Sequence, residues 1–448
     1  MWRSRHSLAC QRLPQAFAQN PSAYNNKSGD EPTASVMTSD ILAELPDFLK
    51  PKLRLFMSVD ITGSTQFKQA LSHSPHKGGT AHKEDGEEGS PSEPWLSPIL
   101  EFYEQISATF EDQWKVVTKH AQEEQHDWPV GDRPTVWKAV GDELIFTKIL
   151  TDHRQAYLSV LAWLLTIQEY RLRIKEHSAG LDLKCAAWIA GFPINNAEVI
   201  LDHQSSNGLA GCDDGDYIFG NLARLFAANV GPQTHSGSSS ERSITGIRDF
   251  IGPSIDTGFR VASAASPRKF VLAADLAFML SHTAGNLPTS WNLKKLEFYY
   301  EGRKDLKGVT NGTPYPVFWV NAVIPDPLME IEDRIENREP TRASEVKTFC
   351  ERYLEKNKDT HVMKPFIYGD LDVLFKRVPP RHIEKLNKLA SYWKLENARR
   401  EAERKAQLDP ESAEQQPAPE TSGSDLETLS TQLIPDSTQV EPSQPQSE

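Results

Sequence analysis

Through the middle of the chain, segments with the apolar spacing of a strand alternate with segments with the apolar spacing of a helix. The run Lys52–Val59 has the density of a buried strand, whereas Leu96–His120 places apolar residues three and four positions apart, as an amphipathic helix does. A more apolar helix is predicted at Ala156–Ile174, followed by a strand at Leu181–Ile189. Further downstream, the pattern predicts a helix at Ser254–Ala264, a strand at Lys269–Ala273, a short helix at Asp275–His282, and strands at Leu293–Tyr300 and Pro316–Val320.

The clearest short-range signal is a hairpin. The apolar runs Thr135–Val140 and Glu143–Lys148 are separated only by Gly141 and Asp142, which predicts a tight turn between two strands. Strands and helices mix without strict β-α-β repetition, which favours an α+β fold, a sheet with helices packed on it, over a doubly wound dinucleotide-binding domain. Neither Walker A nor the other common nucleotide and zinc motifs occur, and no internal repeat is present.

Polar segments suggest where the folded part begins and ends. The first stretch is rich in Ser, Thr and Asn, and the last is rich in Pro, Gln, Ser and Glu, compositions that do not bury a core. Apolar residues at helical spacing before that last stretch predict helices packed on or beside the main domain. The predicted division is a disordered leader at 1–50, a main folded domain at 51–322 with surface loops near 73–94 and 233–242, a helical appendage at 323–402, and a disordered acidic tail at 403–448.

Charge and hydropathy exclude several classes of protein. The chain has 448 residues and a formal charge of −13, but nine carboxylates and no Lys or Arg lie after Lys405, so the rest carries an excess of only four negative charges. That part offers no basic stripe for nucleic acid. The longest apolar run, Ala156–Ile167, is too short to cross a bilayer, which needs about 20 residues. We therefore expect neither a nucleic-acid partner nor a membrane-spanning segment.

The four cysteines lie far apart in the sequence. Cys10, Cys185, Cys212 and Cys350 form no Cys-x-x-Cys pair and have no histidine cluster beside them, which argues against a disulfide framework or a structural zinc site. Reduced thiols are expected in a cytoplasmic protein. The arginines near the N-terminus faintly suggest an organellar transit peptide, but an ordinary disordered leader is favoured and no secretory signal is present.

Two carboxylates stand where chemistry is expected. Asp60 ends a hydrophobic strand and opens the segment VDITGST, while Asp142 occupies the hairpin turn of KAVGDELIF. Aspartate in a turn is common and by itself indicates no function. If the two side chains are adjacent in space, however, they form an oxygen-rich site for the hard divalent cations that hold triphosphates.

Both segments resemble the class III nucleotide cyclase catalytic domain, in which a strand ending in Asp-Ile and a Gly-Asp hairpin supply two metal-binding aspartates. The segments DFIGPSIDTGFRVAS and DLKGVTNGTPYPVFWV resemble two later parts of that domain, so the likeness covers about residues 52–322. The spellings SVDITGST, GDELIF and DFIGPSIDTGFR are similar to the pyrimidine cyclases of bacterial Pycsar antiphage systems. The resemblance implies a class III cyclase-like sheet of the ferredoxin-like or palm kind.

The resemblance also implies a metal site. Asp60 and Asp142, with the carbonyl of Ile61, would hold two Mn²⁺ or Mg²⁺ ions. Such a pair of ions lowers the pKa of the attacking 3′-hydroxyl and neutralises the triphosphate.

Further positions match the family's substrate-binding residues. Lys138 and Asp249 fall at the two base-reading positions, Arg260 at the arginine that stabilises the transition state, and Lys307 at the phosphate-binding lysine. Asp256 departs from the family because it replaces an asparagine, and on a helix it could form an ion pair with Arg260 or touch the ribose. The alternative interpretation is that Arg260 covers a helix face and Lys307 is a solvated turn residue.

The implied reaction is the conversion of UTP to 3′,5′-cyclic UMP and pyrophosphate, as the second-messenger synthase of an antiphage system with a separately encoded effector. The hydrogen bonds that Lys138 and Asp249 can make do not exclude CTP or ATP as the substrate. Because the chain carries both sets of family residues, a head-to-tail homodimer with two sites is expected. A catalytically dead nucleotide-binding module is a second hypothesis. A GGDEF-type dinucleotide cyclase is a third, disfavoured because Val140 precedes Gly141.

Overall fold

The computed structural model describes most of the predicted folded region. The predicted loops near 73–94 and 233–242, together with Cys10 and Cys212, lie outside the described residues. The described residues are 42–43, 45–72, 95–123, 128–177, 180–201, 221–222, 224–225, 228–229, 247–358, 360 and 362–408.

A mixed sheet forms the centre of the described chain. Neighbouring strands in it are antiparallel, except that the fourth and seventh strands in chain order are parallel to each other. The central strand is a near-continuous apolar run and is buried on both faces, as expected for a strand covered on both sides. In the order β2-β3-β1-β4-β7-β9-β8, the sheet contains β1 (Lys52–Thr62), β2 (Thr135–Val140), β3 (Glu143–Leu150), β4 (Asp182–Phe192), β7 (Lys269–Leu272), β8 (Phe298–Lys304) and β9 (Tyr315–Asn321), while β5 (Ala197–Leu201) and β6 (Ile247–Ile251) form a separate two-stranded sheet.

Helices cover both faces of this sheet. Successive β1 side chains enter different cores, because neighbouring residues of a strand point to opposite faces: Met57 joins the larger cluster, whereas Phe56 stacks on Trp188 in the smaller one. The helices are α1 (Ser64–Ser72), α2 (Leu96–Glu123), α3 (Arg154–His177), α4 (Pro253–Ala262), α5 (Ala274–Gly285), α6 (Pro327–Ile335), α7 (Ala343–Lys356), α8 (Val373–Lys376) and α9 (Pro380–Leu408).

The α+β fold class is confirmed, and most predicted elements form within a few residues of their expected ends. The predicted strand Leu293–Tyr300 is wrong at its start, because the observed strand begins at Phe298. The short strands β5 and β6 and helix α1 were not predicted. Cys185 and Cys350 are buried free thiols, and burial raises the pKa of Cys185 to about 12.

The domain division stays a prediction, but two of its ends differ from the structure. Leu45 and Leu49, within the expected leader, pack against Leu386 of α9 because all three are apolar and buried together. Helix α9 also continues to Leu408, past the expected start of the tail. Among the described helices, none is long and apolar enough to cross a membrane.

Candidate active site

The fold brings the two predicted metal aspartates to one edge of the sheet. Asp60, near the end of β1, lies opposite Glu143 of β3 and Lys184 of β4 in the strand register. Asp142 precedes Glu143 in the β2–β3 turn, where Gly141 takes a positive φ of 64° that favours glycine. Asp60 and Asp142, from two distant segments, therefore both lie near Glu143, whose carboxylate senses the charge of each.

Each of these carboxylates is paired with a lysine. Lys184 Nζ lies 2.8 Å from Asp60 Oδ2, and Lys68 Nζ of α1 lies 3.4 Å from Asp142 Oδ1. The aspartate side chains are only 27% and 22% exposed, so they are open to an exchanging ion but partly shielded from water. A metal ion that binds these carboxylates would therefore compete with the two lysines.

A third carboxylate, Glu143, joins the pair. It is half-buried, and burial together with the negative charges of Asp60 and Asp142 raises its pKa, while a hydrogen bond from Ser58 opposes the rise. Glu143 was not predicted from the sequence. The available signal was its position directly after Asp142 in GDELIF, where a strand residue pointing to the same edge adds oxygen ligands.

A cavity of about 180 Å³ opens beside Asp60 and Glu143. Its other wall comes from α4, so the sheet edge and this helix together form a cleft. Neither Arg260 nor Lys307 lines it. Its lining includes Ser58, Asp60, Glu143, Lys184, Phe259 and Ala262.

The two predicted base-reading residues meet in space. Lys138 Nζ of β2 donates to Asp249 Oδ1 of β6 at 2.8 Å, and it also lies 4.0 Å from the centre of the Trp137 ring. The same Asp249 oxygen accepts a hydrogen bond from the backbone N–H of Phe250 at 2.9 Å. A charged donor and a charged acceptor are therefore held together beside an aromatic face.

Glycines fix the helix that carries the other two predicted residues. Gly252, just before α4, has a φ of 137°, and a Cβ there would lie 2.7 Å from Asn196 Cα. A Cβ on Gly258 would lie 2.3 Å from the ring of Trp188, so only glycine lets α4 approach β4 this closely. These contacts explain two of the glycines in DFIGPSIDTGFR.

Asp256 and Arg260 are both exposed on α4. Both are described residues, yet no ion pair joins them, so the pairing expected from their helical spacing is not formed. Lys307 is exposed in the turn after β8, followed by Gly308 with a φ of 77°. Ile61 is a buried β1 side chain, 3% exposed. The structure therefore gathers Asp60, Ile61 and Asp142, and separately Lys138 and Asp249, while Arg260 and Lys307 face solvent.

Comparison with known proteins gives structural likenesses only. No family model matches the chain, and no curated protein matches it. The solved structures that match include the adenylyl cyclase CyaB from P. aeruginosa, with 10% identity, a TM-score of 0.34, and coverage of 62% of this chain and 96% of that one. The guanylyl cyclase Cya2 matches with 11% identity, a TM-score of 0.30, and coverage of 62% and 95%.

A third match is the guanylate cyclase domain of RhGC from Catenaria anguillulae in complex with GTP, with 12% identity, a TM-score of 0.28, and coverage of 60% of this chain and 97% of that one. These three structures carry the names of adenylyl or guanylyl (guanylate) cyclases. At these identities and TM-scores, the likenesses carry neither substrate nor mechanism to this chain.

Proposed function

We propose that this chain is a nucleotide cyclase that closes a nucleoside triphosphate to its 3′,5′-cyclic monophosphate and releases pyrophosphate. The observation that carries the proposal is the meeting of Asp60 and Asp142 at one sheet edge beside a cavity. The pairing of Lys138 with Asp249 supports it, because residues from two distant segments form a second polar constellation of the kind the reaction needs.

The residues at the sheet edge fit divalent cations. Asp60 and Asp142, with the carbonyl of Ile61, supply hard oxygen ligands. Lys184 and Lys68 form ion pairs with the two carboxylates and balance their charge. When bound there, Mn²⁺ or Mg²⁺ would lower the pKa of the 3′-hydroxyl and neutralise charge on the triphosphate. Glu143 brings further carboxylate oxygens to this edge, opposite Asp60 and beside the cavity.

The remaining predicted residues act on the substrate. Arg260 donates several hydrogen bonds from a planar cation to the phosphorus oxygens on which charge develops, and Lys307 holds the terminal phosphates as a point charge. Asp256 is exposed on α4, and we assign it to contact with the ribose. Replacement of Asp256 by Asn should then lower the rate, and an unchanged rate would remove Asp256 from the site.

A homodimer completes the site in this proposal. Arg260 and Lys307 are exposed and do not line the cavity beside Asp60, so their charges are available to a second copy. A head-to-tail dimer would place Arg260 and Lys307 of one chain across from Asp60 and Asp142 of the other, giving two equivalent sites.

The favoured substrate is UTP. Lys138 can donate to the O4 carbonyl of uracil, and Asp249 can accept from its N3–H. The pair reads CTP or ATP by exchanging roles, so the preference for uracil rests on the resemblance of SVDITGST and GDELIF to pyrimidine cyclases. By the same resemblance, cyclic UMP would act as an antiphage second messenger on a separately encoded effector in the cytoplasm.

The test is incubation of the purified chain with Mn²⁺ and each of the four ribonucleoside triphosphates in turn. We expect one triphosphate to give a cyclic monophosphate and pyrophosphate in equal amounts, and UTP is the favoured one. An Asp60→Asn variant prepared in parallel controls for contaminating enzymes. Binding of a triphosphate without turnover of any of the four would favour the catalytically dead module instead.

A further inference from the structure

A second cluster of potential metal ligands lies away from the proposed cyclase site. It joins three parts of the chain: His153 just before α3, His282 on α5, and Asp370 and Asp372 in the segment before α8. One ring nitrogen each of His153 and His282 and one carboxylate oxygen of Asp372 lie within 4.8 Å of one another. Histidine nitrogens with a carboxylate oxygen are a donor set that suits Zn²⁺.

Asp370 fixes the position of His153. Its Oδ2 accepts the backbone N–H of His153 at 2.7 Å, and both its oxygens lie 3.1 Å from His153 Nδ1. The backbone N–H of Asp372 donates to the other oxygen at 2.9 Å. With its Nδ1 proton directed at Asp370, a neutral His153 carries its lone pair on Nε2. This is the arrangement in which a carboxylate orients a metal-binding histidine.

His282 is held by one hydrogen bond. Its Nε2 lies 2.8 Å from Asp372 Oδ2, while its Nδ1 is buried without a hydrogen-bond partner. The residue is 8% exposed, so Asp372 is the partner that fixes the ring at this buried position.

An aromatic ring covers one side of the cluster. The Phe375 ring stacks on His153 and meets His282 edge-on, with ring centres 4.8 and 5.5 Å apart. The nearby Asp152 is already occupied, since Arg154 contacts its two oxygens at 2.8 Å each. An apolar wall and a neutralised neighbour leave His153, His282 and Asp372 as the groups that face one another.

We propose that this cluster binds one Zn²⁺ ion through His153 Nε2, His282 Nε2 and Asp372, with Asp370 as the residue that orients His153. Zinc ligands at about 2.0 to 2.1 Å from the ion stand roughly 3.3 Å apart in a tetrahedron, so His282 and Asp372 need to separate only slightly to admit it. The ion would fasten residues 369–376 to α3 and α5. This site is independent of the cyclase proposal and has no role in its chemistry.

The experiment measures metal content in the full chain carrying Asp60→Asn and Asp142→Asn, which removes the other candidate site, and without a histidine tag. After treatment with a chelator and refilling with Zn²⁺, we expect one zinc per chain to survive gel filtration. Co²⁺ in place of Zn²⁺ should give the intense visible absorption of a tetrahedral site with nitrogen and oxygen ligands. Added Zn²⁺ should also raise the midpoint temperature of thermal unfolding, and this measurement needs no substitution in the cluster.

Further variants locate the ion. His282→Gln and Asp372→Asn should each lose the stoichiometric zinc, and Asp370→Asn should weaken binding by about 10- to 100-fold. His382→Gln is the matched control, because His382 is also buried at 6% exposure but lies outside the cluster, and it should keep the zinc. The proposal is overturned if the starting protein holds no zinc and shows no thermal shift, or if zinc persists when His282 and Asp372 are both replaced.

Discussion

The sheet edge around Asp60 and the cluster around His153 both gather carboxylates, but they differ in every other respect. Asp60 and Asp142 are partly exposed and paired with lysines, and Asp60 lines a cavity. His153 and Asp370 are buried, paired with each other and covered by an aromatic ring. An exposed acidic edge allows ions and substrates to exchange, whereas a buried His–Asp pair ties segments of the chain together. Function and stability should therefore separate cleanly between the two regions.

The largest expected effect is on activity at the sheet edge. Asp60→Asn or Asp142→Asn should lower cyclase turnover by at least about 100-fold, because each removes a ligand for cations that stabilise transition-state charge. Folding stability should change little, since each side chain makes only a partly exposed ion pair. Urea denaturation followed in parallel with product formation checks both statements, with Asp305→Asn, an exposed loop acid, as the control. Retained turnover in either variant would remove that aspartate from the metal site.

The reverse result is expected in the buried cluster. Asp370→Ala should lower the free energy of unfolding by about 3 kcal/mol, because it leaves the His153 ring and two backbone N–H groups without their acceptor. The measurement is urea denaturation in the presence of a chelator, so that any bound metal does not contribute. Turnover per folded molecule should stay near that of the unmodified chain. A stability change as small as that of Asp305→Ala would show that the buried pair does not tie the segments together.

The smallest expected effect concerns the lysine beside Asp60. Lys184→Met removes a competitor for the carboxylate, and since a partly exposed ion pair contributes at most about 1 kcal/mol, half-maximal activity should need up to roughly fivefold less Mn²⁺. Lys175→Met is the matched control, because it breaks the ion pair to Asp182 at 2.9 Å elsewhere on the surface. A requirement for more Mn²⁺ in Lys184→Met would mean that this lysine supports the metal site.

The sequence predicted the parts of the molecule whose signals are local. Strand β1 and the hairpin around Gly141 follow from continuous apolar runs and a turn residue, and these two elements suffice to bring Asp60 and Asp142 together. Strands β5 and β6 were missed because their sequences, AEVIL and IRDFI, neither alternate regularly between apolar and polar residues nor form a continuous apolar run. The partners of an exposed side chain depend on tertiary packing, so the pairing of Lys184 with Asp60 was also beyond the sequence.

The buried cluster shows a second limit of sequence reasoning. His153 and Asp370 are 217 residues apart in the sequence, and neither stands in a recognisable spacing of metal ligands. Their meeting depends on α7 and the chain after it packing into the main core, where Cys350 and Phe375 share one cluster with the sheet. Helical spacing predicted helices in this region but gave no information on which surface they cover.

In the proposed homodimer, each active site combines the aspartates of one chain with Arg260 of the other. A chain carrying Asp60→Asn and Asp142→Asn and a chain carrying Arg260→Ala should each be inactive alone. After subunit exchange, about half of the dimers are mixed, and each has one working site of two, so roughly a quarter of the unmodified activity should return, by the symmetry of the exchanged interface. Differently tagged chains verify that subunits have exchanged. If activity does not return after verified exchange, the shared site is contradicted and these residues act within one chain.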